Sequence, residues 1–272
     1  MNTPEITKSK QVAGSLNRRR FLISAAAGAS LLHTAAHAAQ PSGGNNSVKP
    51  NIVFVFADQW RAQATPWAGD PNVRTPNLAR LAAESVNFVN AVSGCPVCTP
   101  YRGSLMTGQS PLTNGVFMND VQLPDSAVTV AEVLKGAGYD TAYIGKWHLD
   151  GHGRSSYIPP ERRQGWDYWK VLECTHNYNN SAYYADTDEK LFWEGYDAIA
   201  QTRDAQQYIT EHAKGEKPFV LFMSWGPPHA PYQTAPEKYR QQFKPEDVVL
   251  RPNVPEEVQE KARTDLAGYY AH

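Results

Sequence analysis

The stretch from Cys95 to Gly108 combines two cysteines, a proline and an arginine at spacings that suit chemistry. Cys98 or Thr99 is expected to cap a helix with Pro100 in its first turn, which places Cys98 beside unpaired backbone N–H groups. Arg102, one turn further on, is expected to lean back toward Cys98. A cysteine between a helix N-terminus and a guanidinium is well placed to act on an anion.

The same two cysteines allow other interpretations. Cys95 and Cys98 have the spacing of a thioredoxin-type redox motif and of half a zinc site. No second cysteine pair follows, and Cys174 stands alone. The redox and zinc interpretations therefore stay open beside the anion site.

Polar residues follow three apolar runs of the chain. Asp58 and Gln59 follow the first run, Lys146 and His148 lie at the end of the second, and His229 follows the third. Each has a structural explanation when taken alone, such as a helix cap or a solvated strand end. Ligands of open α/β sheets bind outside the carboxyl ends of the strands, so we expect these residues to meet at one edge.

The elements that must position these residues alternate between strands and helices. Runs at 51–57, 140–144 and 218–225 predict strands, the first of them buried on both faces. Helices are predicted after Thr75-Pro76, from the capping box Thr129 to Glu132, and over 198–213. This alternation predicts an α/β fold with a mainly parallel sheet flanked by helices. Residues 151–193, aromatic and without periodicity, predict a pocket-forming insertion above the sheet.

Composition excludes several classes of protein. The chain has 272 residues, of which 41% are hydrophobic and 19% charged, as in globular proteins. Its formal net charge of −1 offers no broad field for nucleic acid or anionic lipid. Three cysteines are too few for a disulfide framework.

The amino-terminal residues are typical of an export signal. Arg18 and Arg19 precede an apolar stretch, Phe21–Leu32, and Ala36-His37-Ala38 resembles a cleavage site. That stretch is too short for a membrane span of about 20 residues, so no stable membrane insertion is expected. We interpret 1–38 as a twin-arginine signal peptide, recognised by the Tat export machinery, and 39–50 as a flexible lead. A periplasmic or secreted protein is expected.

Several motifs together resemble the type I sulfatases, which depend on formylglycine and have an alkaline-phosphatase-like α/β fold. The resemblance lies in Cys98-Thr99-Pro100-Tyr101-Arg102 and Leu105-Met106-Thr107-Gly108. It extends in family order to Asn51 through Gln59, Thr75 through Leu78, Gly145 through Leu149, Gly165 through Trp169, and Pro227 through Pro231. The chain after the leader is thus expected to be a sulfuric ester hydrolase.

The resemblance implies a role for each candidate residue. Cys98 would be oxidised by a formylglycine-generating enzyme, and one hydroxyl of the hydrated aldehyde would attack sulfur. Asp58, Gln59 and the modified Cys98 would bind a divalent cation, by family analogy Ca²⁺, which prefers oxygen ligands. The sulfate ester would be a small molecule or a sugar. The remaining roles are Arg102 and Lys146 for the charge of the nucleophile and the sulfate, His148 for the proton, and His229 beside the leaving-group oxygen.

Departures from the family pattern leave alternatives open. Many relatives have an aspartate where Gln59 stands, and the Asp-Gln pair also occurs in phosphonate monoester hydrolases, so a phosphonate or phosphate ester hydrolase is an alternative. The downstream metal-binding Asp with Asn or His does not follow. Residues 51–272 are therefore expected to be the N-terminal part of a sulfatase catalytic domain, inactive alone. A catalytically silent remnant is the third hypothesis.

Overall fold

A parallel four-stranded sheet forms the centre of residues 49–272, the part of the chain that the computed structural model describes. The signal peptide and most of the lead predicted for 1–50 lie outside the described residues. The sheet has the order β1-β6-β2-β3, and a separate antiparallel pair is formed by β4 and β5. The strands are β1 (Ile52–Ala57), β2 (Asp140–Lys146), β3 (Tyr168–Leu172), β4 (Ala182–Tyr183), β5 (Leu191–Phe192) and β6 (Phe219–Trp225).

Seven α-helices accompany these strands in the described residues. They are α1 (Pro76–Ala83), α2 (Cys98–Thr107), α3 (Pro111–Asn114), α4 (Val130–Gly136), α5 (Asp197–His212), α6 (Glu237–Arg240) and α7 (Gln259–Ala271). Short 3₁₀ turns lie at Pro66–Ala68, Pro160–Arg162, Tyr232–Thr234, Pro245–Asp247 and Glu256–Val258. No helix of residues 49–272 is long and apolar enough to cross a bilayer.

The predicted helix signals are confirmed where they were strongest. The Thr129 hydroxyl accepts the Glu132 N–H at 3.3 Å, and the Glu132 carboxylate accepts the Thr129 N–H at 2.8 Å, which completes the capping box of α4. Thr75 precedes Pro76 at the start of α1, as predicted. The predicted α/β class, a mainly parallel sheet flanked by helices, is confirmed.

Two predictions about the sheet are wrong. β1 is not buried on both faces, because it is an edge strand of the described sheet and Val53 and Val55 are exposed on one face. Residues 151–193 do not all lie above the sheet, since β3 pairs in parallel with β2 inside it. The aromatic composition of that segment concealed the five-residue strand.

An aromatic cluster behind β2 forms the centre of one core. Tyr143 of β2 packs edge-to-face against Trp147 and Trp166, with ring centroids 5.1 and 5.3 Å apart. Trp147 also packs edge-to-face against Trp169. Because Trp147 is buried between Lys146 and His148, as predicted, the core anchors the backbone that presents both polar residues.

Candidate active site

Parallel strand ends bring three of the predicted residues to one edge of the sheet. β1, β6 and β2 are neighbours in the sheet, so their carboxyl ends lie side by side. Asp58 directly follows β1, and its N–H donates to the Trp225 carbonyl at 3.0 Å. Lys146 ends β2, and its Nζ donates to Asp58 Oδ2 at 2.6 Å. His229 lies in the loop after β6, close enough to join Asp58 in one cluster.

Cys98 completes this cluster from the first turn of α2. Its Sγ lies 3.5 Å from both carboxylate oxygens of Asp58 and 3.6 Å from Lys146 Nζ. The helix begins one residue earlier than a cap at Cys98 predicts and two earlier than a cap at Thr99 predicts, because the cap is Val97, without a side-chain capping bond. Cys98 still occupies the first turn, where backbone N–H groups favour an anion.

Arg102 lies beneath the cluster and does not lean back to Cys98. Its guanidinium is 2% exposed and donates to the Lys146 carbonyl at 2.5 Å, to Ser224 Oγ at 2.8 Å and to Asp58 Oδ2 at 3.4 Å. Its hydrogen bonds to residues 49–272 do not include Cys98 Sγ, because β2 and β6 supply nearer acceptors. Arg102 therefore supports Asp58 and Lys146 from below.

These contacts concentrate opposite charges around one carboxylate. Burial alone raises the pKa of Asp58, but Arg102 and Lys146 outweigh that effect and lower the pKa to about 2. Asp58 is therefore ionised at neutral pH. Lys146 Nζ stands between this carboxylate and Cys98, so one ammonium contacts both the ionised acid and the residue expected to react.

His148 is presented differently from Lys146. The strand geometry that would place both side chains on one face ends at Lys146, because His148 has a φ of +59° in the left-handed region. His148 is 2% exposed, and its Nε2 lies 2.9 Å from Asp120 Oδ1. Lys146 and His148 are thus both buried, in contrast to the solvated strand end that the sequence allowed.

The loop after β6 holds His229 against a second histidine. The rings of His229 and His176 stack with centroids 4.5 Å apart and an interplanar angle of 9°. Gln59, exposed and with a φ of +61°, accepts the Ala230 N–H through Oε1 at 3.4 Å. Asp58 therefore gathers Cys98, Lys146, Arg102 and His229 around it, while His148 contacts Asp120 of a separate loop.

Comparison with known proteins shows the family of the chain. The sulfatase family model matches residues 50–264, which is most of the chain.

The chain belongs to the sulfatase family.

Known sulfatases match it over most of its length. The ulvan-active sulfatase of Formosa agariphila is 52% identical over 225 residues, which is 82% of this chain and 44% of that relative. The sulfatase yidJ of Bacteroides fragilis superimposes with a TM-score of 0.77 at 32% identity, covering 85% of this chain and 57% of that structure. BT4656, solved with its substrate D-glucosamine-2-N,6-O-disulfate, gives a TM-score of 0.65 at 27% identity, covering 75% and 39%. This sulfatase chain spans about half the length of the curated relatives it matches.

The sulfatase family implies a divalent cation, and the candidate site offers donor atoms of the kinds that such a cation binds. Donor atoms of Asp58, Cys98 and His229 lie within 4.8 Å of one another. Asp58 offers the carboxylate oxygens that Ca²⁺ prefers, and oxidation of Cys98 would replace a sulfur donor by oxygen. Gln59 adds an amide oxygen near the same loop. These donors are fewer than the 6–8 oxygens typical of Ca²⁺, so they form one side of such a site.

Three residues around the candidate site were missed by sequence reasoning. Asp120 binds His148, His176 stacks on His229, and Glu173 holds the loop that follows Lys146. The buried Glu173 carboxylate accepts the N–H groups of Asp150 and Gly151 at 2.9 and 3.0 Å. Of the three, only Glu173 directly follows a strand. The rule about strand ends could therefore have identified it, had β3 been predicted. Asp120 and His176 lie in loops without periodicity.

The cysteines of this sulfatase chain are all unpaired. Cys95, Cys98 and Cys174 are free thiols, so Cys95 and Cys98 form no disulfide. The polar contacts of Cys98 are with Asp58 and Lys146. The geometry therefore gives Cys98 the charged surroundings of a reactive residue.

Proposed function

We propose that the protein hydrolyses sulfate esters at the Asp58 cluster, with Cys98 converted to formylglycine as the reacting residue. The observation that carries this proposal is the position of Cys98 Sγ, 3.5 Å from Asp58 and 3.6 Å from Lys146 at the carboxyl edge of the sheet. Membership of the sulfatase family and the Cys98-x-Pro-x-Arg102 motif support it. The hydrated formylglycine supplies the oxygen nucleophile.

The chain's own residues provide the charges that the reaction needs. Lys146 Nζ can donate to a sulfate oxygen while it keeps its contact with Asp58. Arg102 is too deeply hydrogen-bonded to swing toward a substrate, so it acts by fixing Asp58 and the Lys146 backbone. Fixed positive charge near the transferring group stabilises the charge that builds in the transition state.

The two histidines handle protons in this proposal. His148 accepts the proton released at residue 98, and His229 lies beside the leaving-group oxygen. Asp58, Gln59 and residue 98 would hold a divalent cation, by family analogy Ca²⁺, which supplies positive charge that polarises the ester.

We propose a sulfated sugar as the substrate class. The names of two relatives support it, since one is ulvan-active and the other was solved with a disulfated glucosamine.

We also propose that a formylglycine-generating enzyme and the Tat machinery act on this chain, with a periplasmic or secreted destination. Replacing Arg18 and Arg19 by Lys should retain the protein in the cytoplasm, as measured by cell fractionation; unchanged export would contradict the export proposal.

Paired kinetics test the reaction type. The complete product of the gene, expressed together with a formylglycine-generating enzyme, is offered a sulfate ester and a phosphonate ester of the same alcohol. We expect a higher kcat/KM on the sulfate, loss of turnover in Cys98→Ala, and retained turnover in the matched control Cys95→Ser. A preference for the phosphonate would favour the phosphonate hydrolase, and no turnover of either ester would favour the silent remnant.

A further inference from the structure

His148 contacts a carboxylate that belongs to none of the strand ends. Its Nε2 lies 2.9 Å from Asp120 Oδ1. Asp120 is in turn bound by Arg154, whose Nε and Nη2 donate to the two carboxylate oxygens at 2.9 and 2.8 Å. The histidine is buried, while Asp120 and Arg154 are each about half exposed. The three side chains form a connected row from the buried His148 ring to the surface.

The protonation of this row follows from its geometry. Hydrogen bonds from Arg154 and His148 hold the pKa of Asp120 well below its usual range, so the carboxylate is ionised. An ionised carboxylate only accepts hydrogen bonds. His148 Nε2 must therefore carry the hydrogen. In a neutral imidazole the other nitrogen, Nδ1, then carries the lone pair.

The Nδ1 atom is buried and has no hydrogen-bond partner among residues 49–272. Buried polar atoms are usually paired, and unpaired ones call for an explanation. A nitrogen lone pair that no protein donor occupies remains available to another group. The chain thus leaves one nitrogen of His148 committed to Asp120 and the other uncommitted.

The backbone supports a functional origin of this contact. Asp120 has a φ of +64° and His148 a φ of +59°, so both partners adopt the left-handed conformation that residues other than glycine seldom take. Such conformations are energetically unfavourable and cluster at functional sites. Both partners of one hydrogen bond are therefore held in strained positions.

We propose that Asp120, braced by Arg154, is a positioning residue that holds His148 as the Nε2–H tautomer and leaves Nδ1 to receive the proton. The proton released at residue 98 passes to Nδ1, and the resulting imidazolium stays hydrogen-bonded to the Asp120 carboxylate through Nε2–H. The proton then leaves to water. This inference rests on the proposed function for the identity of the proton donor, but the tautomer itself does not depend on it.

Nitrogen NMR of the whole protein labelled with ¹⁵N-histidine tests the tautomer directly. The His148 signals are assigned by their loss in His148→Gln. At a pH where the ring is neutral, we expect a protonated Nε2 and an unprotonated Nδ1. In Asp120→Asn the amide can donate as well as accept, so the Nδ1–H form should gain population, and kcat should fall at least about tenfold with KM changed less than twofold.

Asp125→Asn is the matched control, because Asp125 is an exposed carboxylate of the same loop that accepts from Gln122. It should leave both the spectrum and kcat unchanged. If Asp120→Asn does not fold, Arg154→Gln removes the brace alone and should shift the same signals. An Nδ1–H tautomer in the wild-type protein, or an unchanged spectrum in Asp120→Asn, would overturn the inference. The expected tautomer in a protein without sulfatase turnover would overturn the proposed function and keep Asp120 as a positioning residue.

Discussion

Asp58 is the residue on which the charges of the site converge. It is buried, and its carboxylate is paired with Lys146 and Arg102, which are also buried. Removing one member of a buried ion pair leaves the other charge uncompensated, at a cost of about 3–5 kcal/mol. Because Lys146 is buried, its replacement should affect both activity and stability. At a solvated strand end it would have affected activity alone.

Lys146→Ala should reduce both turnover and stability. We expect the free energy of unfolding to fall by about 3 kcal/mol. This is the lower end of the range for a broken buried pair, because Arg102 still accompanies Asp58. Urea denaturation measures this loss. Lys135→Ala is the matched control, since Lys135 forms an exposed pair with Asp167 whose loss should cost less than about 1 kcal/mol. Equal effects of the two variants would show that Lys146 is not an integral part of the fold.

β2 is the element that delivers Lys146, and Gly145 shapes its end. Gly145 has a φ of +107°, and a Cβ added there would lie 2.1 Å from the Ser224 carbonyl oxygen of β6. Gly145→Ala should therefore push β2 and β6 apart and lower the free energy of unfolding by about 3 kcal/mol or more. Gly136→Ala, in α4 with open space around its Cβ, should instead add about 0.5–1 kcal/mol. Thermal denaturation measures the stability of both variants. A Gly145→Ala variant as stable as the wild-type protein would contradict the role given to Gly145.

The first turn of α5 contains a buried carboxyl group that makes the folded protein less stable at high pH. Burial raises the pKa of Asp197 to about 7, although hydrogen bonds from Ser181 and the Ala198 N–H oppose the shift. As pH rises from about 4 to 7, the unfolded chain loses this proton while the folded chain keeps it. The contribution of Asp197 to the free energy of unfolding therefore falls, by at most about 4 kcal/mol.

Asp197→Asn should remove that penalty. The neutral amide keeps an acceptor for Ser181, so the variant should match the wild-type protein near pH 4 and exceed its stability near pH 8. Urea denaturation at the two pH values measures the difference. Asp188→Asn, which changes an exposed carboxylate, should show no such dependence on pH. A stability difference between Asp197→Asn and wild type that is the same at both pH values would show that Asp197 ionises normally.

For the molecule as a whole, sequence reasoning succeeded where a general rule of topology applied. The carboxyl ends of neighbouring parallel strands meet at one edge, so Asp58, Lys146 and His229 could be grouped before any coordinates were known. It failed where position depends on irregular loops. Asp120 reaches His148 from a loop, and β3 is hidden in an aromatic segment. The exposed face of β1 escaped prediction because an apolar run does not reveal which strand lies at an edge.

The proposed hydrolysis depends most on the chemical state of Cys98. Peptide mass spectrometry with fragmentation, applied to the protein purified from cells that contain a formylglycine-generating enzyme and shown to turn over a sulfate ester, measures that state directly. We predict that residue 98 is lighter by the difference between a thiol and an aldehyde, while Cys95 in the same peptide is unchanged. An active preparation in which Cys98 remains a thiol would contradict the proposed mechanism.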